Sequence, residues 1–259
     1  MPGEAGNNQS VERAAAVLRV LGAGRPELRV SDVAEATGLG MSSASRFLAT
    51  LERADLVERD PVSGLYRLSL GVVPLSSAAL NRHPVHRAAR AVLQEVAART
   101  GLGANIAVRR GDVLMFLCHF EGADAPRSYT QAGHTAPLHA TGIGKCLLAA
   151  LDASGRRALL PAPLAAHTAA TLVDHERLDE EVAHVHTHGW AAEVEERALG
   201  RASVAAPVRD ATGEIVAALS LWGPVSLLAT TSGREGVRSP LVDHVLQAAD
   251  AVSQTLGAR

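Results

Sequence analysis

Cysteine, lysine and aromatic side chains are nearly missing from this chain. Two cysteines, Cys118 and Cys146, are too few for a disulfide framework and suit a reducing compartment. No apolar run reaches bilayer-spanning length, and MPGEAGNN at the start has no apolar signal core, so neither a membrane span nor a secretory leader is expected and a cytoplasmic location is. Aromatics make up only 3% of the 259 residues, yet the hydrophobic share of 47% supplies ample core for one large or two ordinary domains. Lys145 is the single lysine in an alanine- and arginine-rich background, which looks like a high-GC coding bias; a role for it stands against a surface charge left by drift. Strong charge of one sign is also absent, and a net charge of −2 excludes neither DNA nor small molecules as partners.

What is present begins with residues 31–55, SDVAEATGLGMSSASRFLATLERAD, which read as two short helices joined by a glycine-bearing turn. The first, from about Val30, carries Val33, Ala34 and Thr37 inward, and Gly38 and Gly40 bracket Leu39 where the chain turns back. In the second, Ala44, Phe47, Leu48 and Leu51 recur at three- and four-residue spacing, leaving Ser42, Ser43, Ser45, Arg46, Ala49 and Thr50 outside to enter a major groove. LVERD and LYRLS around Pro61 and Gly64 read as a two-stranded wing whose Arg59 and Arg67 are placed to meet phosphates. SVERAAAVLRVLG makes a supporting helix with Ser10 as its expected N-cap. The competing reading is a small helical subdomain that merely packs; the wing favours double-stranded DNA. Residues 1–80 hold eight arginines against nine acids, so affinity must come from a few placed arginines and from two copies on one palindromic site.

Beyond the wing, helical periodicity through Val72, Leu75, Ala79 and Leu80 stops at Pro84 and resumes through Ala89, Val92, Leu93 and Val96. The expected division is therefore residues 1–69 for DNA binding, a linker helix over 70–83, and 84–259 for effector binding and oligomerisation, both helices near the boundary offering apolar faces to a partner subunit. From Gly103, short β-rich runs (ANIAVRR, DVLMFLCHF, RSYTQA, AAEVE, SVAAPVRD, EIVAALSLWG) alternate with hairpin-scale turns, and helices are expected in TGIGKCLLAAL, opening after its two glycines, around HERLDEEVAHVHTHG and from about Pro240 to Leu256. The class is α+β, with a mostly antiparallel sheet and segregated helices.

Glycines 142 and 144 at a helix start leave N–H groups uncovered, which with the helix dipole makes an anion site for a carboxylate; the alternative is a plain tight turn before a helix. The spacing does not match a phosphate loop. His184, His186 and His188, with His167 and His175 upstream, raise the question of zinc, but only His184 and His188 share a helix face and no ligand spacing accompanies them, so no metal and no cofactor is expected. A hydrolytic set of Ser220, His139 and Glu193 lacks a GxSxG elbow, and the adjacent Glu195 and Glu196 point apart on a strand. Cys118 and Cys146 read as oxidant sensors or as ordinary buried hydrophobes.

In SVERAAAVLRVL, SSASRFLATLERADLV, PLHATGIGKCLLA, GWAAEVEERALG and SVAAPVRDATGEIVAALSLWGP, from about Gln9 to the C-terminus, the chain resembles the isocitrate lyase regulator (IclR) family of bacterial transcription factors. The resemblance implies a winged helix-turn-helix, a linker helix and a GAF-like effector-binding domain, assembled as a dimer or a dimer of dimers. It also implies effector contacts at Gly142, Ile143, Glu193, Ser203, Ser220 and Trp222. Where many members have aspartate, cysteine and serine, this chain has Glu193, Ser203 and Trp222. Ser220 and Trp222 are two apart on one strand and share a face, so Trp222 either walls a pocket for an aromatic or bulky acid, with one N–H to donate, or fills the space. The expected function is a ligand-responsive regulator of a metabolic operon without enzymatic activity. The alternative is a sensor or enzyme whose N-terminal domain mediates protein contact.

Overall fold

The computed structural model describes residues 8–23, 27–125, 132–231 and 233–258. The chain divides into two compact units, Met1–Ala79 and Leu80–Arg259.

The first unit is three helices and a hairpin: α1 (Gln9–Leu21), α2 (Val30–Thr37), α3 (Met41–Arg53), β1 (Val57–Arg59) and β2 (Tyr66–Leu68). Val17, Leu21, Val33, Leu48, Leu51, Val57 and Tyr66 make one core, against which Phe47 and the turn residue Leu39 pack. Gly38 ends α2 in the left-handed region (φ 67°), a conformation that side chains resist, and so reverses the chain into α3. The start of α1 differs from expectation. Asn8 is the N-cap, its Oδ1 accepting from the Ser10 N–H at 3.2 Å, and Ser10 sits inside the first turn; an asparagine amide caps as well as a serine hydroxyl, so the helix begins earlier. β1 and β2 pair antiparallel with Glu58 opposite Arg67 and Arg59 opposite Tyr66. Leu28 adds a bridge to Tyr66 through two backbone hydrogen bonds of 2.9 and 2.8 Å, an extension of the wing that the sequence pattern does not show.

α4 (Val72–Arg82) spans the division, and Pro84 occupies the first turn of α5 (Pro84–Thr100) behind His83 as N-cap. There follow β3 (Gly103–Arg110), β4 (Val113–Phe120), β5 (Thr135–Pro137), α6 (Gly142–Leu148), α7 (Ala153–Leu159), α8 (His175–His188), β6 (Ala191–Val194), β7 (Arg201–Arg209), β8 (Ile215–Pro224), α9 (Val225–Leu228) and α10 (Ser239–Thr255). The sheet order is β5-β4-β3-β8-β7-β6, antiparallel at every pairing. The expected RSYTQA strand falls, except for Ala132, outside the described residues. β5, α7 and α9 have no counterpart in the sequence pattern, being too short to show a period.

Both sheet faces are covered, which is why β3, β7 and β8 are apolar almost throughout. Ile106, Val204, Leu219 and Leu221 pack with Leu93 and Val96 of α5 and Val245 and Val252 of α10. On the other face Ala107, Ala191, Ala205 and Ala218 meet Ile143 and Leu147 of α6 and Leu178 and Val182 of α8. The alanines let α6 approach closely, and the site lies on this face, where Asn105, Glu193, Ser203, Ser220 and Trp222 are buried.

Candidate functional site

On α3, Ala44, Leu48 and Leu51 are buried while Ser42, Ser45, Arg46 and Thr50 are exposed and Ser43 is half-exposed. Arg46 Nη2 lies 3.4 Å from Ser43 Oγ, and the Thr50 hydroxyl donates to the Arg46 carbonyl at 2.9 Å while accepting from Arg53 at 3.1 Å. The guanidinium of Arg46 is therefore presented on the outside of α3, held among the described residues by one long hydrogen bond. Ser10 is exposed at the start of α1. On the wing, exposed Arg59 donates to the Gly64 carbonyl at 3.3 Å and lies over the Tyr66 ring at 5.6 Å. Arg67 differs. It pairs with Glu58 across the hairpin and with Glu27 at 2.7 Å, so its charge is already met by protein carboxylates. Glu27 is forty residues away, beyond the reach of a sequence pattern.

In the second unit, strand register builds a polar row on the α6 side of the sheet. Gly103, Trp222, Ser203 and Glu193 are successive partners across β3, β8, β7 and β6, and Ser220 beside Trp222 pairs with Asn105. Trp222, Ser203, Glu193, Ser220 and Ile143 all line a cavity of about 120 Å³. Gly142 stands just behind: a Cβ there would lie 3.3 Å from Ser203 Oγ and 3.2 Å from Ala205 Cβ, so the glycine lets α6 start against β7. Gly144 is needed for a different approach, since its Cβ would sit 2.0 Å from the Leu138 carbonyl oxygen. Its N–H is taken by Thr141 Oγ1 at 3.1 Å. The two glycines thus serve close packing, and α6 begins at the first of them rather than after both.

Positive charge enters from elsewhere. Arg197 and Arg201 flank the turn at Gly200 between β6 and β7 and line the same cavity as Thr141, Phe116 and Leu114. Among the described residues neither guanidinium has an ion pair. Burial lowers the pKa of Arg201, which the Glu193 carboxylate partly offsets, but an arginine remains cationic near neutrality. Sequence reading misses both; the available signal is the hairpin itself, because pairing Glu193 with Ser203 forces the EERALGR turn to overhang them.

Trp222 is held on all sides. A Cβ on Gly103 would fall 2.1 Å from the indole, His119 stacks on it at 5.6 Å, and the Arg201 guanidinium lies 4.5 Å from the ring centre. In the amide orientation that satisfies both ends of Asn105, its oxygen accepts from Trp222 Nε1 at 3.3 Å and its nitrogen donates to His119 Nδ1. The expected free indole donor is therefore spent within the protein, and Trp222 offers the cavity apolar surface alone. Burial holds His119 below the usual imidazole range.

Glu193 Oε2 accepts from Ser203 Oγ and Oε1 from the Arg197 N–H, each at 3.2 Å. Burial nevertheless raises its pKa, against the opposing effects of the Arg197 N–H, the Lys145 charge and Ser203. A carboxyl raised in the folded state contributes stability that is complete below its unfolded value and lost as pH rises through the folded one. Glu193→Gln removes that loss, so its unfolding free energy should gain on the wild type's as pH is raised from about 5 to about 8. Urea denaturation at both pH values checks this; a difference independent of pH contradicts it.

The lone lysine is not a surface charge. Lys145 is 1% exposed, and its Nζ donates to Ala192 O at 2.9 Å, Glu181 Oε2 at 3.2 Å and Glu196 Oε1 at 2.5 Å. Glu181 also pairs with Arg234. Cys118 and Cys146 are buried with pKa raised by burial, the environment of inert thiols. His184 and His188 stack at 4.1 Å, but no group of three metal-ligating side chains occurs among the described residues. His139 bonds to the Ala165 carbonyl at 2.8 Å and stacks on His167, outside the cavity wall that holds Ser220 and Glu193. Glu195 and Glu196 lie beyond the end of β6 and not on a strand as expected, yet they point apart: Glu195 binds the Gly200 N–H and Glu196 turns to Lys145.

A helix-turn-helix unit followed by an α+β unit with an antiparallel sheet defines a transcription regulator of two-domain build. Residues 10–61 match the IclR helix-turn-helix domain model and residues 77–254 the bacterial transcriptional regulator IclR C-terminal model. The chain belongs to the IclR family of bacterial transcriptional regulators. It is 34% identical over 253 residues to the glycerol operon regulatory protein of Streptomyces coelicolor, covering 97% of this chain and 98% of that one. An IclR regulator from Alicyclobacillus acidocaldarius has the same fold with a TM-score of 0.85 at 30% identity, over 97% of this chain and all of the other. So has an IclR homologue from Microbacterium hydrocarbonoxydans complexed with 4-hydroxybenzoate, with a TM-score of 0.81 at 23% identity over 96% and 99% of the chains.

Proposed function

We propose that the cavity takes a small organic acid with a flat, aromatic or otherwise bulky body, and that its occupancy alters how two copies of α3 address a palindromic operator in double-stranded DNA. The observation that carries this reading is the meeting of two cations, Arg197 and Arg201, with the apolar face of Trp222 in one cavity. A guanidinium pair recognises a carboxylate through charge-assisted hydrogen bonds. The hydroxyls of Ser203, Ser220 and Thr141 give a second polar end. A space of about 120 Å³ is of the order of the roughly 150 Å³ apolar cavity known to admit benzene. The 4-hydroxybenzoate in the Microbacterium homologue is an acid of this shape. Gly142 and Ile143 bring α6 to the cavity, and Glu193 meets the ligand from β6.

On the DNA side, Ser42, Ser43, Ser45, Arg46 and Thr50 of α3 read the major groove, and Ser10 and Arg59 contact the backbone. Arg67 serves this surface indirectly, by fixing the wing through Glu27 and Glu58. A homo-oligomer, dimer or dimer of dimers, supplies the second reading helix; α4 has no buried residue and exposes Val73 and Leu75, apolar surface suited to another copy. No helix among the described residues is long and apolar enough to cross a membrane, and cytoplasmic residence accords with the task. A coupling of about 1–3 kcal/mol between cavity and operator suffices for a roughly 5- to 150-fold response.

Isothermal titration against benzoate, 4-hydroxybenzoate, a branched aliphatic acid and glyoxylate tests the ligand class. Aromatic acids should bind best, and Arg201→Ala should weaken the best of them by about 2 kcal/mol, roughly thirtyfold. Preference for glyoxylate means that Trp222 only fills space. A mobility-shift assay with the gene's own upstream region tests the rest: no shift with or without these acids rejects the regulator reading for that region.

A further inference from the structure

The β6–β7 turn that carries Arg197 and leads into Arg201 is closed by backbone hydrogen bonds from the Glu195 N–H to the Arg201 carbonyl at 2.8 Å and from the Val225 N–H to the Gly200 carbonyl at 3.1 Å, but buries no side chain between Arg197 and Gly200. Glu195 takes a positive φ of 59°, its carboxylate holds the Gly200 N–H at 2.7 Å, and the turn from Arg197 to Gly200 is otherwise exposed or half-exposed. Beneath it the structure is tight. Thr171 Oγ1 donates to the Glu196 carbonyl and Thr168 Oγ1 to the Glu195 carbonyl, both at 2.6 Å. Lys145, from α6, grips both the Ala192 carbonyl on β6 and the Glu196 carboxylate at the root of the turn, and braces against Glu181 of α8. Glu181 is in turn held by Arg234. A desolvated ion pair with three carboxylate or carbonyl acceptors around one ammonium gives little net stability over an apolar packing, yet it fixes a geometry tightly.

We propose that Lys145 is the positioning residue of the effector cavity: through Glu196 it sets the path of residues 197–201 and thereby aims Arg197 and Arg201 at the ligand. Lys145 does not line the cavity and touches no ligand. Its effect passes along one peptide, from Glu196 to Arg197, whose N–H completes the Glu193 carboxylate. The clamp also joins α6 to β6, which give the cavity Ile143 and Glu193, so two of its contributing elements share a single cation. This inference rests on the organic-acid reading of the cavity only in its affinity readout.

The test compares full-length wild type with the charge-balanced double variant Lys145→Met/Glu196→Leu, which removes one cation and one anion and leaves Glu181 to Arg234. A second variant, Glu196→Gln, keeps Lys145 and serves if the double variant does not fold. Val245→Ala, on α10 at the other sheet face, is the control for general destabilisation. Hydrogen exchange of amides 197–201 should quicken by about tenfold in the clamp variants and stay at the wild-type rate in Val245→Ala. Affinity for 4-hydroxybenzoate or benzoate should fall by roughly tenfold in the clamp variants, with Val245→Ala unchanged. Wild-type exchange across 197–201 in a folded clamp variant overturns the proposal, as does equal quickening in Val245→Ala. If the wild type binds neither acid, the organic-acid reading fails on its own, and the exchange comparison still decides the clamp.

Discussion

Lys145→Met alone should lower the unfolding free energy by about 3–5 kcal/mol, because it strips the partner from a buried carboxylate and leaves the charge without compensation. Glu196 is 8% exposed, and only its Oε1 is bonded, to Lys145; Oε2 has no hydrogen-bond partner among the described residues. Glu181 fares better because Arg234 remains. The loss should depend on pH, with a definite sign. Burial already raises the Glu196 pKa to about 7 even with Lys145 opposing, and removing the cation raises it further. Stability from a carboxyl with a raised folded pKa is complete below the ordinary carboxylate value and is lost as pH rises through the folded one. The variant should therefore be nearer wild type at about pH 5 than at about pH 8. Urea titrations at those two values measure both effects; a loss below about 1 kcal/mol at the higher pH means the site repacks or admits water, contrary to the burial argument.

Arg46→Ala should weaken operator binding by about 1–3 kcal/mol for each copy of α3 engaged, and so by roughly 30- to 10⁴-fold for two copies at fixed salt. The side chain is exposed and its one hydrogen bond, to Ser43, is long, so little folded-state structure depends on it and the thermal midpoint should barely move. The salt dependence separates two modes of binding. If Arg46 pairs with a phosphate, the variant's slope falls by about one per copy; if it pairs with guanine, base preference relaxes at that position and the slope is kept. Because residues 1–80 carry no excess of positive charge, nonspecific attraction is weak and the effect of one well-placed arginine is correspondingly large. Unchanged affinity removes Arg46 from the interface. Arg67→Ala should instead loosen the wing, since it frees Glu27 and Glu58, and a drop in the thermal midpoint with little change in salt slope is the expected sign.

Much of the architecture is legible because it is written in local periods. Ala44, Phe47, Leu48 and Leu51 repeat at helical spacing, and α3 buries that face. Pro84 marks the division between α4 and α5 because a proline ring suits a first turn and nothing else in a helix. The strands β3, β7 and β8 announce themselves by length and apolar content. Short elements do not: β5 and α7 carry too few residues for a period. Asn8 displaces Ser10 as N-cap, a competition between two good cappers that only the chain's path resolves.

The site shows the same boundary between local and distant information. Glu193, Ser203, Ser220 and Trp222 follow from motif resemblance, and strand register places them in adjoining rows. Arg197 and Arg201 look in the sequence like any solvated turn charges, and become cavity residues only when the β6–β7 hairpin folds over Glu193. The sequence leaves Trp222 a donor, but Asn105, more than a hundred residues earlier, takes it.

From its own order of residues this chain determined where most helices lie, which face of each is apolar, and that a helix-turn-helix precedes an α+β domain, since those properties depend on neighbours three or four positions away. Tertiary structure decided which charges are spent and which are left to act. Lys145, Arg67 and the Trp222 indole N–H each found partners tens of residues distant, and the electrostatics of a desolvated group follow from what surrounds it in space.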